Sequence, residues 1–214
     1  MVRQESAAFS LGEAEGLLRT RGHSTVTEVR RYRPGQIVAL DHGRVYYVRD
    51  GLVQLWEVHP DGRELLTDII QPDSAFEVAD SGLSAWYELR VLQVTALHIM
   101  RWHEVKHDTM LMYEVLSKLR ENAVRRQELA AIMRQKFVDW RLAAYLRFLL
   151  KWFGNPAGEG MGVIPLPLTH EQLACAIDST RATVTRILRD YEDRRTISYV
   201  RIGGSRLIEL KGLR

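Results

Sequence analysis

The chain has 214 residues, of which 46% are hydrophobic and 27% are charged, as in an ordinary globular protein of one large or two small domains. No run of about 18 apolar residues occurs and the N-terminus lacks a signal-peptide pattern, so we expect a cytoplasmic protein with no membrane partner. Cys175 is the only cysteine, which excludes an internal disulfide, a four-cysteine zinc site and a cysteine-ligated iron–sulfur cluster.

The net charge of +3 is unevenly distributed along the chain. Residues 1–108 carry a net charge of −4, residues 109–137 carry +3 and residues 138–214 carry +4. A basic second half indicates a polyanionic partner for that half. The same boundaries separate three sequence patterns, which we interpret as a β-rich domain, a long helix and a compact C-terminal domain.

The first pattern, from about residue 26 to 102, alternates short β-rich runs with turn signals. The runs are Val45–Val48, Val53–Val58, Glu64–Ile70 and Tyr87–Leu97. The turn signals Arg49-Asp50-Gly51 and His59-Pro60-Asp61-Gly62 separate the first three. Short strands at this spacing predict a β-roll or barrel.

The second pattern is a heptad stripe without Pro or Gly, reaching to about Phe137, which predicts one long helix of roughly 45 Å. The stripe positions are Met112, Leu116, Leu119, Ala123, Arg126, Ala130, Met133 and Phe137. The helix either lies on the roll or forms a dimer coiled coil. We favour the dimer, because so long a helix has no obvious partner inside one small domain. Arg126 is the polar exception, and it either pairs with Glu121 or Glu128 or reaches into the roll.

The third pattern predicts two short helices followed by a hairpin. A helix beginning after Asp139, a good N-cap, ends near Gly154 and precedes them. Thr169-His170-Glu171-Gln172 is a capping box, and a helix over Arg181–Tyr191 follows the turn Asp178-Ser179-Thr180. The segment Thr196–Leu210 has Gly203-Gly204 at its centre and predicts a two-residue β-hairpin turn.

The second helix of this pair separates a buried face from a charged one. Val184, Ile187, Leu188 and Tyr191 form the apolar face. Arginine on the opposite face suits the DNA major groove, because its fork matches guanine O6 and N7, while hydroxyls and helix N-termini suit phosphates. A solvated charged face is the alternative, but the arginine-bearing hairpin favours a winged helix-turn-helix. The candidate DNA-binding residues are Thr169, Ser179, Thr180, Arg181, Ala182, Thr185, Arg186, Arg189, Arg201 and Arg206.

The chain resembles the CRP/FNR family of bacterial regulators over nearly its whole length. The resemblance lies in Arg33–Val38, Val45–Leu55 and His59–Glu64, in Phe137-Val138-Asp139, and most specifically in Leu173–Leu188, which is similar to the NtcA-like nitrogen-control branch. It implies an α+β chain with a cyclic-nucleotide-binding-type β-roll (jelly roll) over 1–108, a dimerisation helix over 109–137 and a winged helix-turn-helix DNA-binding domain over 138–214.

Two recognition arginines of the family motif fall on Arg181 and Arg186. The cyclic-AMP branch has a glutamate between them, where this chain has Ala182. A methyl group cannot accept a hydrogen bond from cytosine N4 but can touch a thymine methyl. We therefore expect an operator different from that of the cyclic-AMP branch.

The effector pocket departs further from the family pattern. Phe76 stands where the phosphate cassette has glycine, only Glu77 matches, and the cassette arginine falls on Ser84 or Ala85. Glu128 replaces the first of the residues that contact adenine. A buried cyclic phosphate without a cation is costly, so we expect no cyclic nucleotide in the family's manner. Arg90 and Arg126 could form a new anion site, but a surface or interface role is favoured.

Other chemistry has little support in the sequence. His98, His103 and His107 lie near the junction of roll and helix, but no third ligand of fixed position completes a metal site. No catalytic motif appears, so we expect the protein to have no enzymatic activity and to bind no metal or cofactor.

These features predict a homodimeric, sequence-specific transcription regulator that binds a two-fold symmetric operator in double-stranded DNA, independently of cyclic AMP. RNA polymerase is the expected further partner. The alternative is a ligand-sensing or protein-interaction module of the same fold that depends on an unidentified small-molecule effector.

Overall fold

The structure is a computed structural model and describes residues 28–78 and 84–213. The N-terminal segment that we expect to carry no signal peptide lies outside the described residues. Across the described ranges, no helix is long and apolar enough to cross a membrane. The chain divides into two compact units, one built from residues 28–55, 69–78 and 87–119, the other from residues 56–68, 84–86 and 120–213.

Within residues 28–78 and 84–101, the structure describes eight strands that form two four-stranded sheets, as the alternating β-rich runs predict. The strands are β1 (Glu28–Tyr32), β2 (Ile37–Ala39), β3 (Arg44–Asp50), β4 (Val53–Val58), β5 (Glu64–Ile70), β6 (Ser74–Glu77), β7 (Trp86–Val91) and β8 (Thr95–Arg101). The sheet orders are β1-β8-β3-β6 and β2-β7-β4-β5. The pairs β1–β8, β8–β3, β3–β6 and β2–β7 are antiparallel.

One strand prediction needs correction, because the single run Tyr87–Leu97 is two strands in different sheets. The backbone N–H groups of Leu92 and Gln93 both donate to the carbonyl of Leu52, at 2.9 and 3.2 Å, and this interrupts the ladder. Gly51 has a φ of 94° and lies against the start of β8, where a Cβ on residue 51 would overlap Thr95. Neither the bend nor this close approach is visible in the hydrophobic pattern.

The core of the first unit contains side chains from both sheets. Tyr46, Phe76, Leu89 and Leu97 are almost fully buried within it. A second cluster around Val115 joins the roll to the helices that follow. Burial of these apolar side chains is the main stabilising term, at roughly 1.5–3 kcal/mol for each large one.

Three helices follow the roll: α1 (Trp102–His107), α2 (Thr109–Met133) and α3 (Val138–Phe153). The long helix begins at Thr109, where the Asp108 carboxylate accepts hydrogen bonds from the N–H groups of Met110 and Leu111, both at 3.0 Å. It is shorter than predicted because its C-terminal end comes earlier in the chain. It ends at Met133, and Phe137 is the extended N-cap of α3. The interpretation of Asp139 as that N-cap is therefore wrong, and Asp139 lies in the first turn.

The C-terminal region has the predicted helix pair and hairpin, together with one strand that the sequence reading missed. The elements are β9 (Met161–Ile164), α4 (His170–Ala176), α5 (Arg181–Asp193), β10 (Ile197–Ile202) and β11 (Ser205–Lys211). The three strands form a sheet in the order β10-β11-β9. The roll, the long helix and the C-terminal helix-turn-helix together give the α+β fold that the sequence predicts. The domain boundaries at residues 108 and 137 stay predictions.

Candidate nucleic-acid interface

Helix α5 has the two faces that its sequence predicts. Val184, Ile187, Leu188 and Tyr191 are buried. The other face leaves four of the candidate residues exposed to solvent, and these are Arg181, Ala182, Arg186 and Arg189. Three guanidinium groups therefore stand on one side of a 13-residue helix whose opposite side anchors it.

Side-chain caps fix the start of both short helices. The Thr169 hydroxyl accepts from the N–H of Gln172 at 3.1 Å, and the Gln172 side chain accepts from the N–H of Thr169 at 2.9 Å, as the predicted capping box requires. The Thr180 hydroxyl caps α5 by accepting from the N–H of Thr183 at 3.2 Å. Thr169 and Thr180 are both exposed, while Ser179 is half-buried in the turn between the helices.

The hairpin carries two more of the candidates on neighbouring strands. Arg201 and Arg206 are paired across β10 and β11, and both are exposed. Gly203 and Gly204 form the turn with φ 57° and 82°, the left-handed conformation that a tight two-residue hairpin favours. The guanidinium of Arg206 lies 3.6 Å above the ring of Tyr199. The ring thus supports a cation on the exposed side of the hairpin.

A histidine to which the sequence assigns no functional role connects α4, α5 and the hairpin. His170 Nδ1 lies 2.9 Å from Thr185 Oγ1, and His170 Nε2 lies 3.3 Å from the hydroxyl of Tyr199. Burial lowers the pKa of His170, and the nearby Arg206, Arg181 and Arg189 lower it further. Thr185 is half-buried through this contact, unlike the arginines beside it.

Helix α3 contacts α4 and α5 on the side opposite the exposed arginines. The Arg141 guanidinium donates to the carbonyls of Ile177 and Asp178, at 3.1 and 3.2 Å, at the end of α4. The hydroxyl of Tyr191 on α5 donates to the carbonyl of Asp139 at 2.8 Å. These bonds position α5 without using its exposed face. An arginine outside the charged face carries no sequence signal for such a role.

The predicted dimerisation stripe divides into exposed and half-buried positions on α2. Leu116, Ala123, Arg126 and Ala130 are exposed, as is Phe137 beyond the end of the helix. Met112, Leu119 and Met133 are half-buried, the first two against the cluster around Val115. Further exposed apolar side chains extend the surface, and these are Met110, Tyr113 and Val124.

Three residues of the predicted effector pocket belong to the first unit, and each lies in the hydrophobic core or bonds to a neighbouring side chain. Phe76 is only 1% exposed and stacks on Tyr46, with 5.3 Å between ring centroids. The Glu77 carboxylate accepts from the indole N–H of Trp102 at 2.9 Å. The Arg90 guanidinium binds Glu88 at 2.8 Å. Phe76 thus contributes a large aromatic side chain to the hydrophobic core.

The remaining effector-pocket candidates lie in the second unit. Ser84 is exposed and Ala85 is half-buried. Glu128 accepts from Lys151 Nζ at 2.6 Å and from the indole N–H of Trp152 at 2.9 Å, and the Lys151 contact lowers its pKa. The Nε atom of Arg126 lies 3.9 Å from the carboxylate of Asp68, a partner that the sequence does not predict.

Comparison with known proteins agrees with this arrangement. Residues 141–214 match the Crp-like helix-turn-helix domain. The transcriptional regulator SdrP of Thermus thermophilus is 31% identical over 175 residues, which cover 80% of this chain and 82% of that protein. The global nitrogen regulator of Nostoc sp. is 27% identical over 163 residues, covering 72% and 73%.

Solved structures share the fold at lower identity. FixK2 from Bradyrhizobium japonicum has a TM-score of 0.64 and 18% identity, covering 87% of this chain and 93% of that one. A mutant of CooA from Carboxydothermus hydrogenoformans has a TM-score of 0.66 and 19% identity, covering 91% and 89%.

A β-roll, a long helix and a C-terminal winged helix-turn-helix define a DNA-binding transcription regulator. The chain belongs to the CRP/FNR family, with relatives in its nitrogen-control branch.

Proposed function

We propose that the chain acts as a homodimer and binds a two-fold symmetric operator through α5 and the β10–β11 hairpin. The observation that carries this proposal is the exposed row Arg181, Arg186 and Arg189 on a helix whose other face is buried. A bidentate arginine–guanine contact gives about 1–3 kcal/mol of base discrimination. Arg186 and Arg181 are the base-reading residues in this proposal.

Five of the other candidates bind the DNA backbone. Thr169, Ser179 and Thr180 lie at the N-termini of α4 and α5, where hydroxyl and backbone N–H groups suit phosphate oxygens. Arg201 and Arg206 on the hairpin add positive charge, which strengthens binding in a salt-dependent way. Ala182 offers a methyl group to the groove where the cyclic-AMP branch offers a carboxylate.

The dimer forms along the exposed side of α2. Met110, Tyr113, Leu116 and Val124 are large apolar side chains that remain exposed on one helix. Covering such a surface with a second copy removes it from water and gives the coiled-coil pairing that a heptad stripe favours. Two copies related by a two-fold axis present two α5 helices to two successive major grooves.

Cyclic AMP is not required in this proposal. Phe76 belongs to the hydrophobic core of the roll, and the Glu77 carboxylate already binds Trp102. Arg90 is paired with Glu88, so an anion would compete with that carboxylate. RNA polymerase is the further partner, because a regulator bound at a promoter must change what the polymerase does there.

Selection from a pool of random duplexes, without added nucleotide, tests the proposal. We expect enrichment of an inverted repeat whose half-site centres lie about 34 Å, or one helical turn, apart. Gel mobility of the selected duplex should then be the same with and without cyclic AMP. A pool that shows no enrichment, or an enriched site without two-fold symmetry, would contradict the proposal.

A further inference from the structure

The side chains of His170, Thr185 and Tyr199 meet beside the charged face of α5, each from a different element. His170 belongs to α4, Thr185 to the recognition helix and Tyr199 to strand β10. The imidazole bridges the two hydroxyls through its two ring nitrogens, at 2.9 and 3.3 Å. We propose that His170 is a positioning residue that leaves the Thr185 hydroxyl free to donate a hydrogen bond to an acceptor atom of the DNA.

This inference rests on the proposed function, in which the exposed face of α5 reads DNA. It adds the direction of each hydrogen bond in the cluster. A threonine hydroxyl can act as donor or acceptor, so α5 alone leaves its chemical preference open. The imidazole decides whether the hydroxyl proton is available, because Thr185 has a single O–H. Donating it to Nδ1 uses that proton, whereas accepting a bond from Nδ1–H leaves it free.

The number of protons in the cluster limits the possible arrangements to two. His170 is neutral near pH 7, because burial and three nearby arginines lower its pKa, and it therefore carries one N–H. Burial raises the pKa of Tyr199, so the phenol keeps its proton. Either Tyr199 donates to Nε2 and Nδ1–H donates to Thr185, or Thr185 donates to Nδ1 and Nε2–H donates to Tyr199.

The first arrangement is the more stable one. A phenol is more acidic than an aliphatic hydroxyl and is therefore the stronger donor toward the imidazole. The Arg206 guanidinium, 3.6 Å above the Tyr199 ring, strengthens this effect by stabilising negative charge on the phenol. Tyr199 consequently donates to Nε2, His170 Nδ1–H donates to Thr185 Oγ1, and the Thr185 proton points away from the imidazole.

This arrangement predicts which DNA atoms Thr185 can contact with its proton, namely hydrogen-bond acceptors. A free hydroxyl proton on α5 pairs with a phosphate oxygen, with N7 or O6 of a purine, or with O4 of thymine. That proton cannot pair with the amino groups of cytosine or adenine, which are donors themselves and would need the remaining lone pair of Oγ1 instead. The hairpin thereby affects base reading by α5, because Tyr199 sets the tautomer of His170.

The tautomer can be measured directly on the wild-type chain by long-range proton–nitrogen NMR at neutral pH. The expected result is a His170 ring protonated at Nδ1 and unprotonated at Nε2. Tyr199→Phe removes the donor to Nε2 and should shift the ring toward the Nε2–H form. A wild-type ring protonated at Nε2, or a tautomer that Tyr199→Phe leaves unchanged, would overturn the proposal.

A double-mutant cycle tests the effect on binding to the selected duplex. His170→Leu and Thr185→Val should each weaken binding about 2- to 10-fold, the value of one hydrogen bond, and the double variant should lose no more than either single one. His170→Asn, whose amide can replace Nδ1–H, should restore most of the affinity. Additive losses would contradict the coupling. A wild-type chain that selects no duplex refutes the proposed function instead, while the NMR result still decides the tautomer.

Discussion

The guanidinium of Arg125 on α2 lies 2.8 Å from the carboxylate of Asp68 on β5, and both side chains are only 3% exposed. Phe153 of α3 packs nearby, with its ring centroid 5.9 Å from the Arg125 guanidinium carbon. Burial also raises the pKa of Tyr145 on the same helix, and the charge of Asp68 raises it further. One buried ion pair therefore sits where the β5 strand, the long helix and the first helix of the C-terminal region converge.

Breaking this pair should destabilise the protein strongly. Asp68→Ala leaves the Arg125 charge buried without its partner, and a loss of about 3–5 kcal/mol in the free energy of unfolding is expected. The matched control is the double variant Asp68→Leu/Arg125→Met, which should lose much less, because no unpaired charge remains. Urea unfolding measures both variants. An Asp68→Ala protein within about 0.5 kcal/mol of wild type would show that the pair has no such role.

The proposed dimer surface gives a second prediction. Leu116 is 48% exposed on α2, and Leu116→Glu would place two carboxylates close together across a two-fold helix pair. We expect sedimentation to shift from dimer to monomer at micromolar concentration. Leu116→Met keeps the apolar volume and should remain dimeric. If the wild-type chain itself sediments as a monomer, the dimer proposal fails.

Cyclic AMP should neither bind nor activate. Titration calorimetry with cyclic AMP should give no heat. Phe76 occupies the core of the roll, and the Arg90 guanidinium already donates two hydrogen bonds to the Glu88 carboxylate. The linear nucleotide 5′-AMP is the matched control and should behave identically. A micromolar dissociation constant for cyclic AMP, accompanied by tighter operator binding, would contradict this expectation.

Stability should decrease below neutral pH, and His98 is one of the groups responsible. Burial lowers the pKa of His98 from its ordinary value of 6.5, and Arg49 lowers it further. The unfolded chain then binds a proton at a higher pH than the folded one, so the free energy of unfolding falls as the pH drops below about 6.5. His98→Leu removes this group and should flatten the change in urea midpoint between about pH 7.5 and 5.5. An unchanged slope in the variant would assign the pH dependence to other groups.

Local sequence signals predicted much of the C-terminal region. The capping box at Thr169, the buried face of α5 and the glycine turn of the hairpin all depend on residues close together in sequence, and the structure confirms each of them. Helix periodicity and turn chemistry act over a few residues, which is why a single sequence reveals them.

Features that depend on distant residues were not predictable in the same way. His170 has partners 15 and 29 residues away, and Asp68 has one 57 residues away. The strand β9 pairs with β11 more than 40 residues later along the chain, and its short apolar run gives no independent signal. The end of α2 at Met133 was also missed, because the heptad stripe continues to Phe137 after the backbone has left the helix.

The central claim is that α5 reads DNA sequence, and the ratio of specific to non-specific affinity tests it most directly. We would measure this ratio on the selected duplex and on a scrambled one for wild type, Arg186→Ala, Arg181→Ala and the exposed control Arg195→Ala. Arg186→Ala should remove most of the preference and Arg181→Ala part of it, each by about 1–3 kcal/mol, while Arg195→Ala leaves the ratio unchanged. Equal ratios for wild type and both α5 variants would contradict the claim.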